Sequence, residues 1–226
     1  MHNKKNNLFG NTALGDKLKE AIGSEKLKVR PKTGMSKKQL SVVNSLPPLP
    51  NPNKYKGDGI DHIWIAFTSN SIIGQRLRKG HPSKFKHPTM GRFLSIENFW
   101  MFITSEERDE RMRFMKTGVL NVFYKQCTPK NVTNLFAIIA NAIWIVVKQD
   151  KELAAALKES TLPFDLYGKF NKTASESEMS IKRPAYAVPY IFAVEEIRKA
   201  LKENREPDFT HLKTNKDISE EEALKA

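Results

Sequence analysis

The chain has 226 residues, 38 Lys or Arg against 25 acidic groups, a formal charge of +13 and a single cysteine, Cys127. That length holds one substantial domain plus appendages, and one cysteine excludes both an internal disulfide framework and a multi-cysteine zinc site. No apolar run approaches the roughly 18 residues needed to cross a bilayer, and MHNKKNNLFG carries charge with no apolar segment behind it, unlike a secretory signal. The expectation is a cytoplasmic protein with no membrane partner.

The charge is unevenly spread. Residues 1–56 hold twelve Lys or Arg against three acidic residues, nine of the thirteen surplus charges. An arm of that kind can hold a polyanion through counterion release, with strong salt dependence. A solubilising tail is the equal alternative. The organisation read from composition is a basic, proline-containing arm and linker over 1–56, a globular domain over 57–207 and an acidic polar tail over 208–226.

In chain order, TALGDKLKEAI (12–22) predicts a short helix with Leu14, Leu18 and Ile22 at spacings of four. A second short helix is expected from Ser36 through Leu40 and Val43. SLPPLPNPNKYKGDG, with its prolines and glycines, then favours extended and turn conformations, so 46–59 reads as a linker or a strap over the body. HIWIAF (62–67) is β-branched and aromatic between turn formers and predicts a buried strand. Pro82 and Pro88 argue against one continuous helix in the segment that follows.

From Ser95, a suitable N-cap, the spacing Ile96, Phe99, Trp100, Ile103 is that of a helix face. SEERDERMRFMKTG predicts another helix from Ser105 to Gly118, acids early and bases late. TPKNVTNLFAIIANAIWIVVKQD (128–150) reads as the main core helix, apolar nearly all round, with Thr128 as cap and Pro129 at its first position. DKELAAALKES gives one more helix, TLPFDLYGKF an extended return, and YAVPYIFAVEEIRKALKEN a final amphipathic helix from about Pro189. The predicted class is mainly α with a small β component (α+β).

For chemistry, the sequence offers no phosphate-cradling glycine loop and no nucleophile elbow. The five histidines are scattered, so neither a metal nor a cofactor is expected. What stands out is GRFLSIENFWMFI (91–103), which places Glu97 in the most apolar stretch of a basic chain. A charge there is costly unless partnered, and such sites are often functional. The plainer reading puts Glu97 in the first turn of its helix, where an acid favours the dipole.

The run IAFTSNSIIGQRL…SKFKHPTMGRFLSIENFW resembles the opening motif of the NADAR (YbiA-like) superfamily of N-glycosidases, in its phage-encoded type. AIWIVVKQDKELAAALKESTLPFDLY is similar to the family's downstream half, so the resemblance spans about 63–203. It implies a YbiA-like helical fold that cleaves a ribose C1′–nitrogen bond. The substrate class it implies is an ADP-ribose-like nucleotide or ADP-ribosylated nucleic acid. In a phage setting it further implies counter-defence in the host cytoplasm.

By that resemblance Glu97 and Lys148 are the catalytic candidates. A carboxylate stabilises the oxocarbenium-like sugar or activates water, and an amine can attack an opened ribose. Gly74, Arg76, Arg78, Arg92, Trp100, Asp165 and Tyr167 are the substrate-binding candidates. The arginines would meet phosphates, Trp100 would wall the pocket, and Asp165 and Tyr167 would line the sugar site. Each has an ordinary structural alternative: core packing for Trp100, a helix C-terminal dipole partner for Lys148, solvated charges for Arg76 and Arg78.

The chain also departs from the family. Where members usually show L-S-N-F it has LRKG (77–80), replacing a sugar-binding asparagine by Lys79 and an aromatic by Gly80. The alternative expectation is therefore a non-catalytic NADAR-like protein or inhibitor that holds nucleic acid or a host defence protein. A third is a nucleic-acid binder that acts through its arm alone.

Overall fold

The computed structural model describes residues 35–116, 130–171 and 179–213. The helix expected over 12–22, Thr128, Pro129, Gly118 and the acidic tail beyond 213 lie outside the described residues. Among those described, seven α-helices and three two-stranded sheets give a mainly α architecture with a small β component.

Helix α1 (Lys37–Ser45) starts where the sequence indicates. The Ser36 hydroxyl accepts from the Gln39 amide at 3.3 Å and the Gln39 side chain accepts from the Ser36 amide at 3.0 Å. This reciprocal cap satisfies two otherwise orphaned donors. The helix buries Val42. The proline-rich segment behind it, including a 3-10 turn at Pro52–Lys54, crosses the body as a strap, with the Pro50 carbonyl accepting from Arg183.

Strand β1 (Ile63–Trp64) is shorter than the apolar run predicts, and it pairs in parallel with β4 (Phe164–Asp165) far along the chain. Between them come α2 (Ile72–Leu77) and the hairpin β2 (Phe85–His87) and β3 (Gly91–Phe93). Next are α3 (Ile96–Thr104), α4 (Arg108–Lys116), α5 (Leu135–Gln149) and α6 (Lys151–Glu159). Antiparallel β5 (Gly168–Asn171) and β6 (Met179–Lys182) precede α7 (Ala187–Glu203).

The core lies where α5 meets α7 and α3, around Phe99, Ile143, Val147, Ile191 and Ile197. Three boundaries differ from expectation. Helix α4 begins at Arg108, because Ser105 closes α3 instead, its hydroxyl donating to the Met101 carbonyl at 2.8 Å. Helix α5 begins at Leu135, because Asn134 adopts a left-handed backbone (φ 56°) that a helix cannot pass through. Its apolar surface is also incomplete, since Asn141 is exposed and donates back to Ala137. Helix α7 starts two residues earlier than predicted, at Ala187, with Pro189 in its first turn, where a missing N–H costs nothing.

Asp150 serves two helices. It closes α5 through its amide and caps α6, its carboxylate accepting from the Leu153 amide at 3.0 Å. Arg76 at the end of α2 donates to both Asp150 oxygens at 2.9 Å and to Glu152, locking α2 onto this corner.

Gly74 is fixed by sterics. A Cβ there would sit 2.2 Å from the Trp64 carbonyl oxygen and 2.2 Å from the Ser69 hydroxyl. Gly74→Ala should therefore lower stability by about 1–3 kcal/mol in urea unfolding, as overpacking against backbone does; a midpoint equal to wild type would mean that the 64–69 turn yields freely.

Candidate functional site

Glu97 occupies the second position of α3. The Ser95 hydroxyl caps the helix, accepting from the Asn98 amide at 3.1 Å. The Glu97 amide, one of the first-turn donors without an intrahelical acceptor, donates to the Lys79 carbonyl at 2.7 Å. Its carboxylate turns to the same residue, with Oε1 3.1 Å from Lys79 Nζ and side-chain exposures of 29% and 33%. The acid thus has a dipole-stabilised position, a cation and access to solvent together. The plainer reading of Glu97 from sequence, an acid in the first turn of its helix, is what this geometry shows.

The residues around it explain the unusual LRKG. A Cβ on Gly80 would lie 3.0 Å from Glu97 Oε2 and 3.6 Å from an Arg78 guanidinium nitrogen, so the glycine leaves room for the carboxylate. Lys79 Nζ stands 5.0 Å from the centre of the Tyr186 ring, and Trp100 meets that ring edge-on at 5.4 Å. Burial pushes the Tyr186 hydroxyl above the ordinary phenol range, while Lys79 acts against the shift and the Glu97 charge adds to it. Lys79 and Tyr186 were missed as site residues. The sequence marks Lys79 only as a departure from a motif, and nothing local signals that the cap of α7 will meet the start of α3.

Trp100 packs against Phe136 as well as Tyr186, and the space these rings bound with Ile139, Ile143 and Pro189 is too small for a water molecule. Arg78 stacks its guanidinium 4.9 Å over Phe67. Arg92 is exposed on β3, facing Lys86 across the hairpin. Arg76 is occupied by Asp150 and Glu152, and Gly74 is a packing glycine. Lys148 lies 3.5 Å from Glu206 and 5.0 Å from the Trp144 ring, in the last turn of α5, where a cation suits the dipole.

Asp165 and Tyr167 belong to a second, buried cluster. Asp165 has no exposure and is held by Arg183, whose Nε donates at 2.8 Å. His62, also fully buried, donates from Nδ1 to Asp61 at 2.9 Å and lies 2.9 Å through Nε2 from the Tyr167 hydroxyl. Tyr55 from the strap stacks on His62 at 4.0 Å, and Trp64 stacks on Tyr167 at 5.0 Å.

A concavity of about 490 Å³ is an open trough on α7. It contains none of the candidate site residues singled out by sequence, and two of its acids are already paired, Glu195 with Arg198 of the same wall and Glu196 with Arg205 beside it. Among the described residues there is no cluster of metal-binding side chains and no helix long and apolar enough to cross a membrane. No family model, no characterised protein and no solved structure matches the chain.

Tyr55 and Tyr167 are both pushed up to about 12, first by burial and then by Asp165, which accepts a hydrogen bond from Tyr55 and acts on Tyr167 through its charge. Both phenols thus keep their protons longer when folded. The stability they contribute is complete below about pH 10, the ordinary phenol value, and is lost as pH rises toward 12. Ultraviolet titration of wild type minus Tyr55→Phe should show the missing tyrosine ionising near pH 12; a difference centred at pH 10 would mean that the strap leaves Tyr55 in water.

Proposed function

We propose that the chain is a NADAR-like N-glycosidase that hydrolyses a ribosyl–nitrogen linkage of ADP-ribose on nucleic acid, with Glu97 as its carboxylate. The observation that carries this reading is the setting of Glu97: solvent-reachable, fixed at a helix start, and flanked by Lys79, Gly80, Tyr186 and Trp100. In the reaction the C1′–N bond breaks with its electron pair leaving on the base nitrogen, which takes up a proton. Water adds to C1′, and the carboxylate takes the proton it gives up and returns it to solvent, balancing the one the base takes from solvent. A fixed negative charge beside the ring offsets the positive character that develops there.

The second reading is a non-catalytic protein that holds nucleic acid or a host defence protein. Two observations favour it. The Lys79–Glu97 ion pair already satisfies the carboxylate, and Lys148 is engaged by Trp144 and Glu206.

One assay separates the two. Full-length protein is incubated with ADP-ribosylated guanosine and with an ADP-ribosylated oligonucleotide, and free ADP-ribose is measured by chromatography. The hydrolase reading expects release by wild type and a loss of about 100-fold or more in Glu97→Gln at unchanged melting temperature. No release by wild type, with the oligonucleotide still bound, leaves the binding protein.

A further inference from the structure

Phe67 is 74% exposed, the most exposed of the large apolar side chains among the described residues. A lone surface apolar residue is unremarkable in itself, but this one is prepared on one face. The Arg78 guanidinium lies 4.9 Å over its ring. Arg78 also reaches the Gly80 position that borders Glu97 Oε2, so one arginine joins the exposed ring to the Glu97 locus.

The ring is firmly carried. Asp58 accepts from the Trp64 amide at 2.7 Å, the Ser69 hydroxyl at 2.9 Å and the Asn70 amide, bracketing the Phe67 turn on both sides. An exposed aromatic on an anchored turn, with a cation stacked on it, fits one class of ligand well. A nucleobase gains from a π-face and the adjoining phosphate from the cation, and together these give sequence-tolerant single-strand binding. The chain's overall charge of +13 suits a polyanion.

We infer that Phe67 and Arg78 form a stacking subsite for a base of single-stranded nucleic acid, next to the Glu97 locus. Where Glu97 acts on a linkage, as proposed above, the neighbouring nucleotide of the same strand rests on Phe67. The substrate is then an oligonucleotide strand rather than a free nucleotide. A duplex, whose bases are already stacked on one another, gains nothing from the ring.

The test is fluorescence anisotropy of full-length protein with a labelled oligothymidine and with a duplex of equal length, across a salt series. Phe67→Ala should weaken single-strand binding by about tenfold, and Phe67→Trp should restore it. Duplex affinity should not change. The slope of affinity against salt should match wild type, because removing a ring releases no counterions. The basic arm is common to all variants, and the measurements at the high end of the salt series, where its contribution falls most, read the ring. Equal single-strand affinity for wild type and Phe67→Ala, or equal losses on strand and duplex, overturns the subsite. If Phe67 governs strand binding while wild type releases no ADP-ribose, the subsite stands and the hydrolase reading falls.

Discussion

Asp165 is a carboxylate with no access to water, and its charge is tolerable in the interior because Arg183 pairs with it while the Leu166 amide and the Tyr55 hydroxyl also donate to it. A buried anion deprived of its cation is strongly destabilising, whereas a pair with good hydrogen bonds roughly offsets the cost of leaving water. Arg183 approaches with two nitrogens on the carboxylate and a further bond to the Pro50 carbonyl. One guanidinium therefore ties the β4 strand, the end of β6 and the proline-rich strap. Tyr55 of that strap then closes over His62. Three stretches distant in sequence converge on one charge.

From that anchor the position of Glu97 follows in steps. Holding β4 holds its partner β1, and the Trp64 carbonyl of β1 lies against Gly74 closely enough to exclude any side chain there. Helix α2 is thereby set against the strand, locked at Arg76 by Asp150 and at its end by the Tyr190 hydroxyl, which donates to the Leu77 carbonyl. The next three residues, Arg78 to Gly80, have little freedom left. They present Lys79 through both its carbonyl and its ammonium nitrogen to the first turn of α3. Gly74 and Arg76, considered as substrate contacts from sequence, act in this frame by fixing where Lys79 falls.

Signals that act over a few residues were legible. The Ser95 cap, the Ile96–Phe99–Ile103 face, the helix start near Ser36 and the mainly α class are all written in local spacing. The left-handed Asn134 that delays α5 was not legible, because asparagine is permitted rather than required to adopt that conformation. Nor was the short parallel pair of β1 with β4, whose two residues per strand give no period to read. Acidity in an apolar run drew notice to Glu97, but its cation came from a loop and its aromatic neighbour from the cap of α7. Asp165 shows the converse limit. A loop-like carboxylate in LPFDLY looks available to a ligand, and only the fold reveals that Arg183 already fills that role.

The basic residues of this body are not equivalent, and the difference gives the Glu97 region a direction. Arg76 and Arg183 face carboxylates that neutralise them, and Lys79 faces Glu97. Among the described residues Arg78 instead faces a phenylalanine ring, which attracts the guanidinium through its quadrupole without cancelling its charge. The strip running from Trp100 and Tyr186 through Glu97 and Lys79 to Arg78 and Phe67 is thus nearly neutral at its aromatic-walled end and cationic at its exposed end. A ligand that carries its anionic groups to one side of a less charged ring matches that gradient. A uniformly anionic one does not, since it would bring its charge against Glu97. The Lys79–Glu97 pair lets the two ends lie side by side, because without Lys79 the carboxylate charge would oppose the positive potential around Arg78.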